Sequence, residues 1–299
     1  MIEQSTCEYV VKLRREIHAR PEIGFDLPKS AAVITRELDA IGVPYTEELG
    51  DSSIVATLNE GVGNKTIGIR ADMDALPITE ATGAEYASTH PGRMHACGHD
   101  GHMAILLELA RRLSVKEKLN YNVLLVFQPA EETTGGARDI CKTGLFKLYK
   151  VEAIFGLHLW PGLAEGQMFS RCNEMMSRSC EVKVDIYGKS AHIAKAQDGI
   201  DALDAGMEFY RKAKAMEGAL PKKVFRLLKF GKMQSGTVCN AISDHTHIEG
   251  SLRAFQDEVF YSLRAGIVSI GKDVERSTDC TVNIYMNDGY PCLLYTSPS

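Results

Sequence analysis

The sequence predicts an α/β fold followed by a smaller α+β domain, and three observations lead to this prediction. In the first half of the chain, helix-periodic segments alternate with continuous apolar runs, which are typical of strands buried on both faces. Acidic and histidine side chains follow three of the strands, where open α/β sheets collect their functional groups. In the second half, the element order β-α-β-β-α-β is that of a ferredoxin-like domain.

The first half is predicted to contain three helices and four strands. Apolar residues recur at helical spacing in the helices, and short apolar runs mark the strands. The predicted helices cover residues 10–18, 31–41 and 104–113. The predicted strands cover residues 54–58, 66–69, 123–127 and 153–157, and the last two are expected to be buried on both faces.

The second half is predicted to form the ferredoxin-like domain, over residues 179–288. Alternation of apolar and polar residues, which is typical of a half-exposed strand, is clearest at its beginning. The predicted strands are 180–187, 224–230, 246–252 and 281–286, and the predicted helices are 202–216 and 259–274. The chain is therefore divided into a first domain at 1–178, the ferredoxin-like domain, and a tail at 289–299.

Composition excludes several classes of partner. The net charge of −5 provides neither a basic face for nucleic acid nor a polybasic patch for a membrane surface. No apolar run approaches the length of a membrane span, and the N-terminus lacks the features of a signal peptide. The eight cysteines are irregularly spaced without a Cys-x-x-Cys pair, which favours free thiols in the cytoplasm over a disulfide framework.

A dense cluster of metal-binding side chains precedes the third predicted helix. Residues 95–102 include three histidines, one cysteine and one aspartate. Cys97 and His99 are two positions apart, so both can turn toward one ion, and the flanking glycines allow the sharp backbone bend that this requires. The alternative is a polar turn with a buried cysteine, which would need no flanking histidines.

Further candidate ligands follow the predicted strands of the first half. They are Asp72, Asp74, Glu131, Glu132 and His158. With the cysteine and histidine of the cluster they are too many for one tetrahedral ion and enough for two, and the mixed ligand set suits zinc, manganese, cobalt or nickel. One of the adjacent glutamates can bind metal while the other takes a proton from water. Considered alone, Glu131 and Glu132 would be interpreted as a solvated acidic pair at a turn, and His158 as a core histidine.

Four motifs resemble those of the M20 metallopeptidase family. They are 70–77 (RADMDALP), 94–100 (MHACGHD), 128–132 (QPAEE) and 156–158 (GLH). The resemblance extends over about residues 10–286, and it is strongest to the amidohydrolase branch of aminoacylase-like, hippurate hydrolase-like and indoleacetyl-amino acid hydrolase-like enzymes. It implies a zinc-peptidase-like α/β catalytic domain with two divalent metal ions and an inserted ferredoxin-like lid domain that forms a homodimer.

The resemblance also implies a role for each matching residue. The implied metal ligands are Cys97, His99, Glu132 and His158, with Glu131 as the general base and Asp74 as the residue that orients a ligand. In the lid, His192 matches the histidine that reaches the substrate carbonyl, while Asn240 and Arg253 match residues near the substrate carboxylate. The implied reaction is hydrolysis of the amide bond of an N-acyl-amino acid. A peptidase or dipeptidase on the same site, and an inactive dimerising fragment, are the alternatives.

The end of the sequence departs from the family pattern. The family returns to the catalytic domain after the lid and adds a final metal-binding histidine, whereas no histidine follows His247 here. Residues 289–299 are interpreted as the start of the return segment or as a non-native, vector-like tail. The chain is therefore expected to be a fragment of a longer gene product and a poor enzyme, because a site that lacks a ligand binds metal more weakly.

Overall fold

The computed structural model describes residues 3–59, 65–116, 119–133, 135–170, 173–289 and 293–295. The chain folds as two compact units, Met1–Glu165 and Gly166–Ser299. The α/β fold class predicted from the sequence is confirmed.

The first unit is built on a five-stranded mixed sheet with the order β1-β2-β4-β3-β5. Its strands are β1 (Tyr45–Thr46), β2 (Ile54–Leu58), β3 (Thr66–Asp72), β4 (Asn122–Gln128) and β5 (Val151–Gly156). β3 pairs in parallel with both β4 and β5, while β2 pairs antiparallel with β1 and β4. The carboxyl ends of β4, β3 and β5 therefore lie side by side at one end of the strands.

Helices cover both faces of this sheet. Three of them, α1 (Gln4–His18), α2 (Pro28–Ala40) and α3 (His99–Ser114), pack their apolar residues against Leu125 and Phe127 of β4. The short helices α4 (Gly136–Lys142) and α5 (Leu145–Leu148) pack against Leu124 and Val126 on the other face. Alternate residues of β4 point to opposite faces, so burial of both faces explains why residues 123–127 are continuously apolar.

β5 corrects one sequence-based prediction. Its apolar residues were expected to be buried on both faces, but Ile154 and Phe155 are 48% and 52% exposed. β5 lies at the edge of the five-stranded sheet, where β3 is its neighbour. An apolar run predicts a strand, but it does not specify the position of that strand in the sheet.

The second unit contains a four-stranded antiparallel sheet with the order β10-β7-β9-β8. The elements of this layer are β7 (Arg178–Tyr187), α6 (Ala202–Ala219), β8 (Arg226–Ser235), β9 (His245–Ala254), α7 (Asp257–Thr278) and β10 (Thr281–Asp288). The predicted β-α-β-β-α-β order is confirmed. Buried side chains of both helices, including Phe209 and Phe260, pack against one face of the sheet.

Several elements of the second unit were not predicted. A short 3₁₀ helix covers Ile193–Asp198, and β6 (Asn173–Met176) pairs antiparallel with β11 (Leu293–Tyr295). Most of the predicted tail at 289–299 lies outside the described residues. In the part of the chain that the structure describes, the cysteines are free, and no helix combines the length and apolarity needed to cross a membrane.

Candidate metal centre

The predicted site residues of the first unit come together at the carboxyl edge of the parallel strands. Asp72 is the last residue of β3, the loop after β4 carries Glu131 and Glu132, and His158 follows β5. The fourth element of the site is the N-terminal turn of α3, which begins at His99. The fold thus brings side chains from four separate segments together at the carboxyl ends of the parallel strands.

The turn into α3 depends on a glycine. Gly98 is the residue before the helix and adopts φ = 88°, a left-handed conformation that residues with a side chain rarely adopt. Cys97 precedes this turn, and its Sγ lies 3.4 Å from Nε2 of His158. Burial, together with Glu132 and other nearby carboxylates, raises the pKa of the Cys97 thiol to about 12. A thiolate at this position therefore requires a compensating positive charge.

His99 has one engaged and one unengaged ring nitrogen. Its Nδ1–H donates a hydrogen bond of 2.8 Å to the backbone oxygen of Asp74. Its Nε2 is buried without a hydrogen-bond partner and lies 3.7 Å from Oε1 of Glu132, another buried atom without a partner. A buried polar atom without a partner is costly, so the pair points to a missing positive group between them.

Asp74 holds the loop that carries the two glutamates. Its side chain is fully buried, and its two oxygens accept the backbone N–H groups of Glu131 and Glu132 at 2.9 and 3.1 Å. Burial and the negative charge of Glu132 raise the pKa of Glu131 above its ordinary value. Asp74 therefore connects the glutamate loop to His99. Its carboxylate holds the loop, and its backbone carbonyl oxygen holds the ring of His99.

His102 uses both ring nitrogens in hydrogen bonds. Its Nδ1–H donates to Oδ1 of Asp72 at 2.6 Å, and its Nε2 accepts the Leu159 N–H at 2.9 Å. Arg70 donates to the other oxygen of Asp72 at 2.7 Å. Burial raises the pKa of Asp72, but the bond from His102 and the charge of Arg70 outweigh burial and hold that pKa below its ordinary value.

Among the residues that the structure describes, three groups of side chains could hold a metal ion. In each group the candidate ligand atoms lie within 4.8 Å of one another, and His99 belongs to all three. The groups are Cys97, His99 and His158; His99, Glu131 and Glu132; and Asp72, His99 and His102. The first two offer thiolate, imidazole and carboxylate donors, a set that suits zinc and similar divalent ions. Both nitrogens of His102 are already engaged, which disfavours the third group.

The remaining predicted site residues lie in the second unit. His192 precedes the 3₁₀ helix, and the N–H of Ile193 donates to the backbone oxygen of Asn240 at 3.0 Å, so these two predicted residues are close together. Arg253 is exposed on β9, between buried residues whose side chains point to the helices. It therefore lies on the open face of the four-stranded sheet.

Two contributors to the site were missed in the sequence. Arg70 lies two positions before Asp72 on β3, so period-2 alternation could have indicated that both point to the same face. Leu159 forms two backbone hydrogen bonds in the site, and these carry no sequence signal. Asp72, a candidate ligand at first, has its two oxygens bonded to Arg70 and His102.

The chain is similar to several known proteins. The sequence pattern of the peptidase family M20/M25/M40 matches residues 68–296. An uncharacterized hydrolase of Staphylococcus haemolyticus is 32% identical over 291 residues, which cover 96% of this chain and 76% of that protein. An N-acetyldiaminopimelate deacetylase of Oceanobacillus iheyensis is 32% identical over 281 residues, covering 93% of this chain and 76% of the deacetylase.

Two solved structures are similar over nearly the whole chain. A protein from methicillin-resistant Staphylococcus aureus matches with a TM-score of 0.91 and 30% identity, over 97% of this chain and 78% of that one. A dinuclear metal-binding peptidase from Bacillus subtilis matches with a TM-score of 0.82 and 26% identity, over 98% and 77% of the two chains.

Proposed function

The chain belongs to the peptidase family M20/M25/M40 and is a metal-dependent amidohydrolase, and from this premise we propose that it hydrolyses the amide bond of N-acyl-amino acids. The observation that carries the metal-dependent part of the proposal is a pair of buried atoms without a hydrogen-bond partner, His99 Nε2 and Glu132 Oε1, at the carboxyl ends of the parallel strands. The N-acetyldiaminopimelate deacetylases among the relatives support an acyl-amino acid as the substrate class.

Four residues are proposed as metal ligands: Cys97, His99, Glu132 and His158. We propose that they take part in holding two divalent ions, either Zn²⁺ or Mn²⁺, with Co²⁺ and Ni²⁺ as further candidates, because their donor types suit such ions and their candidate ligand atoms are grouped around His99. A bound pair of such ions lowers the pKa of a water molecule and polarises the substrate carbonyl. The dinuclear site of the Bacillus subtilis peptidase supports the number of ions.

Glu131 is proposed as the general base. Its carboxylate accepts a proton from the water that attacks the amide carbon, and it delivers that proton to the nitrogen of the leaving amino acid when the C–N bond breaks. The side chain of Glu131 is 34% exposed, compared with 19% for Glu132, which leaves Glu131 the more accessible of the pair. Asp74 keeps both glutamates in place through their backbone amides.

The second unit is proposed to supply substrate contacts. His192 would donate to the substrate carbonyl, and Asn240 and Arg253 would bind its carboxylate. In this proposal, residues 1–178 are the N-terminal part of the catalytic domain, residues 179–288 are a lid that forms a homodimer, and the protein acts in the cytoplasm. The planar guanidinium of Arg253 is suited to bidentate binding of a carboxylate.

A substrate screen tests the proposal. The chain, loaded with Zn²⁺ or Mn²⁺, is expected to release amino acids from N-acetyl- or N-benzoyl-amino acids faster than it cleaves dipeptides. The control is the Glu131→Gln variant purified in the same way, which excludes a contaminating hydrolase. Faster cleavage of dipeptides would favour the peptidase alternative, and metal-loaded protein that hydrolyses neither class would contradict the proposal and favour the inactive dimerising fragment.

Cys97 is expected to be protected from alkylation by metal. A metal-bound thiolate is shielded, so iodoacetamide at alkaline pH, which compensates for the raised pKa of the metal-free thiol, should label Cys97 only after the metal has been removed. The exposed thiols of Cys7 and Cys239 are the internal controls, since their labelling should not depend on metal. Mass spectrometry of tryptic peptides measures all three, and substantial labelling of Cys97 that is equal with and without verified metal would show that it is not a ligand.

A further inference from the structure

Leu159 links two histidines of the site through its backbone. Its N–H donates to Nε2 of His102 at 2.9 Å, and its carbonyl oxygen accepts the Nδ1–H of His158 at 2.7 Å. His102 therefore holds Leu159 in place, and Leu159 in turn holds the ring of His158. With Nδ1 of His158 engaged in this way, its Nε2 is the nitrogen that lies near Sγ of Cys97.

The two partners of His102 define the tautomer of its ring. Both oxygens of the ionised Asp72 are acceptors, so the Nδ1 that lies 2.6 Å away must carry a proton. The Leu159 N–H is a donor, so Nε2 must be unprotonated. A neutral imidazole with a proton on Nδ1 satisfies both bonds, and Asp72 is held in turn by Arg70.

The side chain of Leu159 provides a second attachment to the same helix turn. It packs against Gly101 in the first turn of α3, and a Cβ added at Gly101 would lie only 2.5 Å from Cδ1 of Leu159. The rings of His102 and His158 are also in edge contact, with centroids 4.7 Å apart. The loop after β5 is therefore fixed on α3 by a hydrogen bond and by close packing.

We propose that His102 is a positioning residue, which fixes the imidazole of the metal ligand His158 through the backbone of Leu159. This inference rests on the proposed function in that it takes His158 as a ligand. It assigns His102 a role other than ligation, although its ring lies close enough to Asp72 and His99 to form a candidate metal group. Groups that orient metal-binding histidines typically contribute 10- to 100-fold to metal affinity.

Two conservative variants separate the two hydrogen bonds of His102. The amide of asparagine ends near the position of Nδ1, so His102→Asn can still donate to Asp72 but cannot reach Leu159. The amide of glutamine ends near the position of Nε2, so His102→Gln can still accept the Leu159 N–H. We expect His102→Asn to bind Zn²⁺ about 10- to 100-fold more weakly than the parent, and His102→Gln to recover a substantial part of that loss.

The control is Glu108→Gln, on the same helix and far from the metal centre. Glu108 is buried and pairs with Arg111 and Arg112, so its substitution destabilises α3 without touching the loop after β5. Its Zn²⁺ affinity should equal that of the parent. Competition with a chromophoric chelator measures all four proteins, and equal affinities of the asparagine and glutamine variants would overturn the inference.

Exchange of the Leu159 amide hydrogen tests the contact independently of metal. Protection is expected in the parent and in His102→Gln, and loss of protection in His102→Asn; equal protection in all three would overturn the inference. If the parent itself binds no Zn²⁺, the proposed function fails, while this exchange pattern still decides whether His102 holds Leu159.

The ring nitrogens of His102 provide a readout that needs no variant. Nitrogen NMR of ¹⁵N-histidine-labelled parent protein should show a proton on Nδ1 and none on Nε2, before and after Zn²⁺ is added. Direct perturbation of Nε2 by the metal, as expected of a ligand, would overturn the positioning role and favour the group of Asp72, His99 and His102.

Discussion

Glu131→Gln is expected to lower turnover of an N-acyl-amino acid by about 10²- to 10⁴-fold, the range typical for loss of a general base. Glutamine has the size of glutamate but cannot accept the proton of the attacking water. The backbone N–H of residue 131 would still bind Asp74, so the loop should keep its position. Single-turnover kinetics on metal-saturated protein measure the loss, and metal content by atomic spectroscopy should remain that of the parent.

Glu132→Gln is the matched control, because it makes the same change one residue further along the chain. Oε1 of Glu132 lies close to the unpartnered Nε2 of His99, so this variant should lose metal affinity. The two variants thus fail in different ways, one in turnover and the other in metal binding. Turnover of Glu131→Gln at the parent rate, or equal metal loss in both variants, would contradict the assigned roles.

Asp74→Asn is expected to weaken metal binding by about 10- to 100-fold and to lower the free energy of unfolding by about 1–3 kcal/mol. The carboxylate accepts two backbone N–H groups, and asparagine would turn an NH₂ donor toward one of them. The glutamate loop would therefore shift away from His99. Urea unfolding of the metal-free protein and metal titration measure the two effects separately.

Glu22→Gln is the control for the loss of stability. Glu22 is also a buried carboxylate that accepts backbone N–H groups, in this case those of Lys29 and Ser30 at the start of α2. The Glu22→Gln variant should be destabilised to a similar extent as Asp74→Asn, and its metal affinity should be unchanged. If both variants lose metal affinity equally, Asp74 stabilises the fold without orienting the site.

Apolar patterning predicted the layers of the fold but not the environment of each strand. Residues 123–127 of β4 and 153–156 of β5 are both continuous apolar runs, yet Phe127 is fully buried and Phe155 is half exposed. The difference arises from strand order, which depends on long-range pairing. β8 was predicted at 224–230 but extends over Arg226–Ser235, past a register shift between Phe230 and Lys232 where alternation is lost.

The candidate site was predicted from residue types and from the family resemblance, but the partners in its hydrogen bonds were not. Cys97 and His99 are recognisable from their spacing and the intervening glycine. His102 lies in the same sequence cluster, but its partners Asp72 and Leu159 are 30 and 57 residues away in sequence. Whether an imidazole binds metal or positions another group depends on which groups face its two nitrogens, and that is decided by the tertiary structure.

The most direct test of the metal centre is anomalous diffraction at the zinc edge from crystals loaded with Zn²⁺. We expect anomalous peaks about 2.3 Å from Sγ of Cys97 and about 2.0–2.1 Å from Nε2 of His99 and of His158, with Glu132 also bound. Peaks next to Asp72 and His102 instead, or loaded crystals without a peak among these four side chains, would contradict this metal centre.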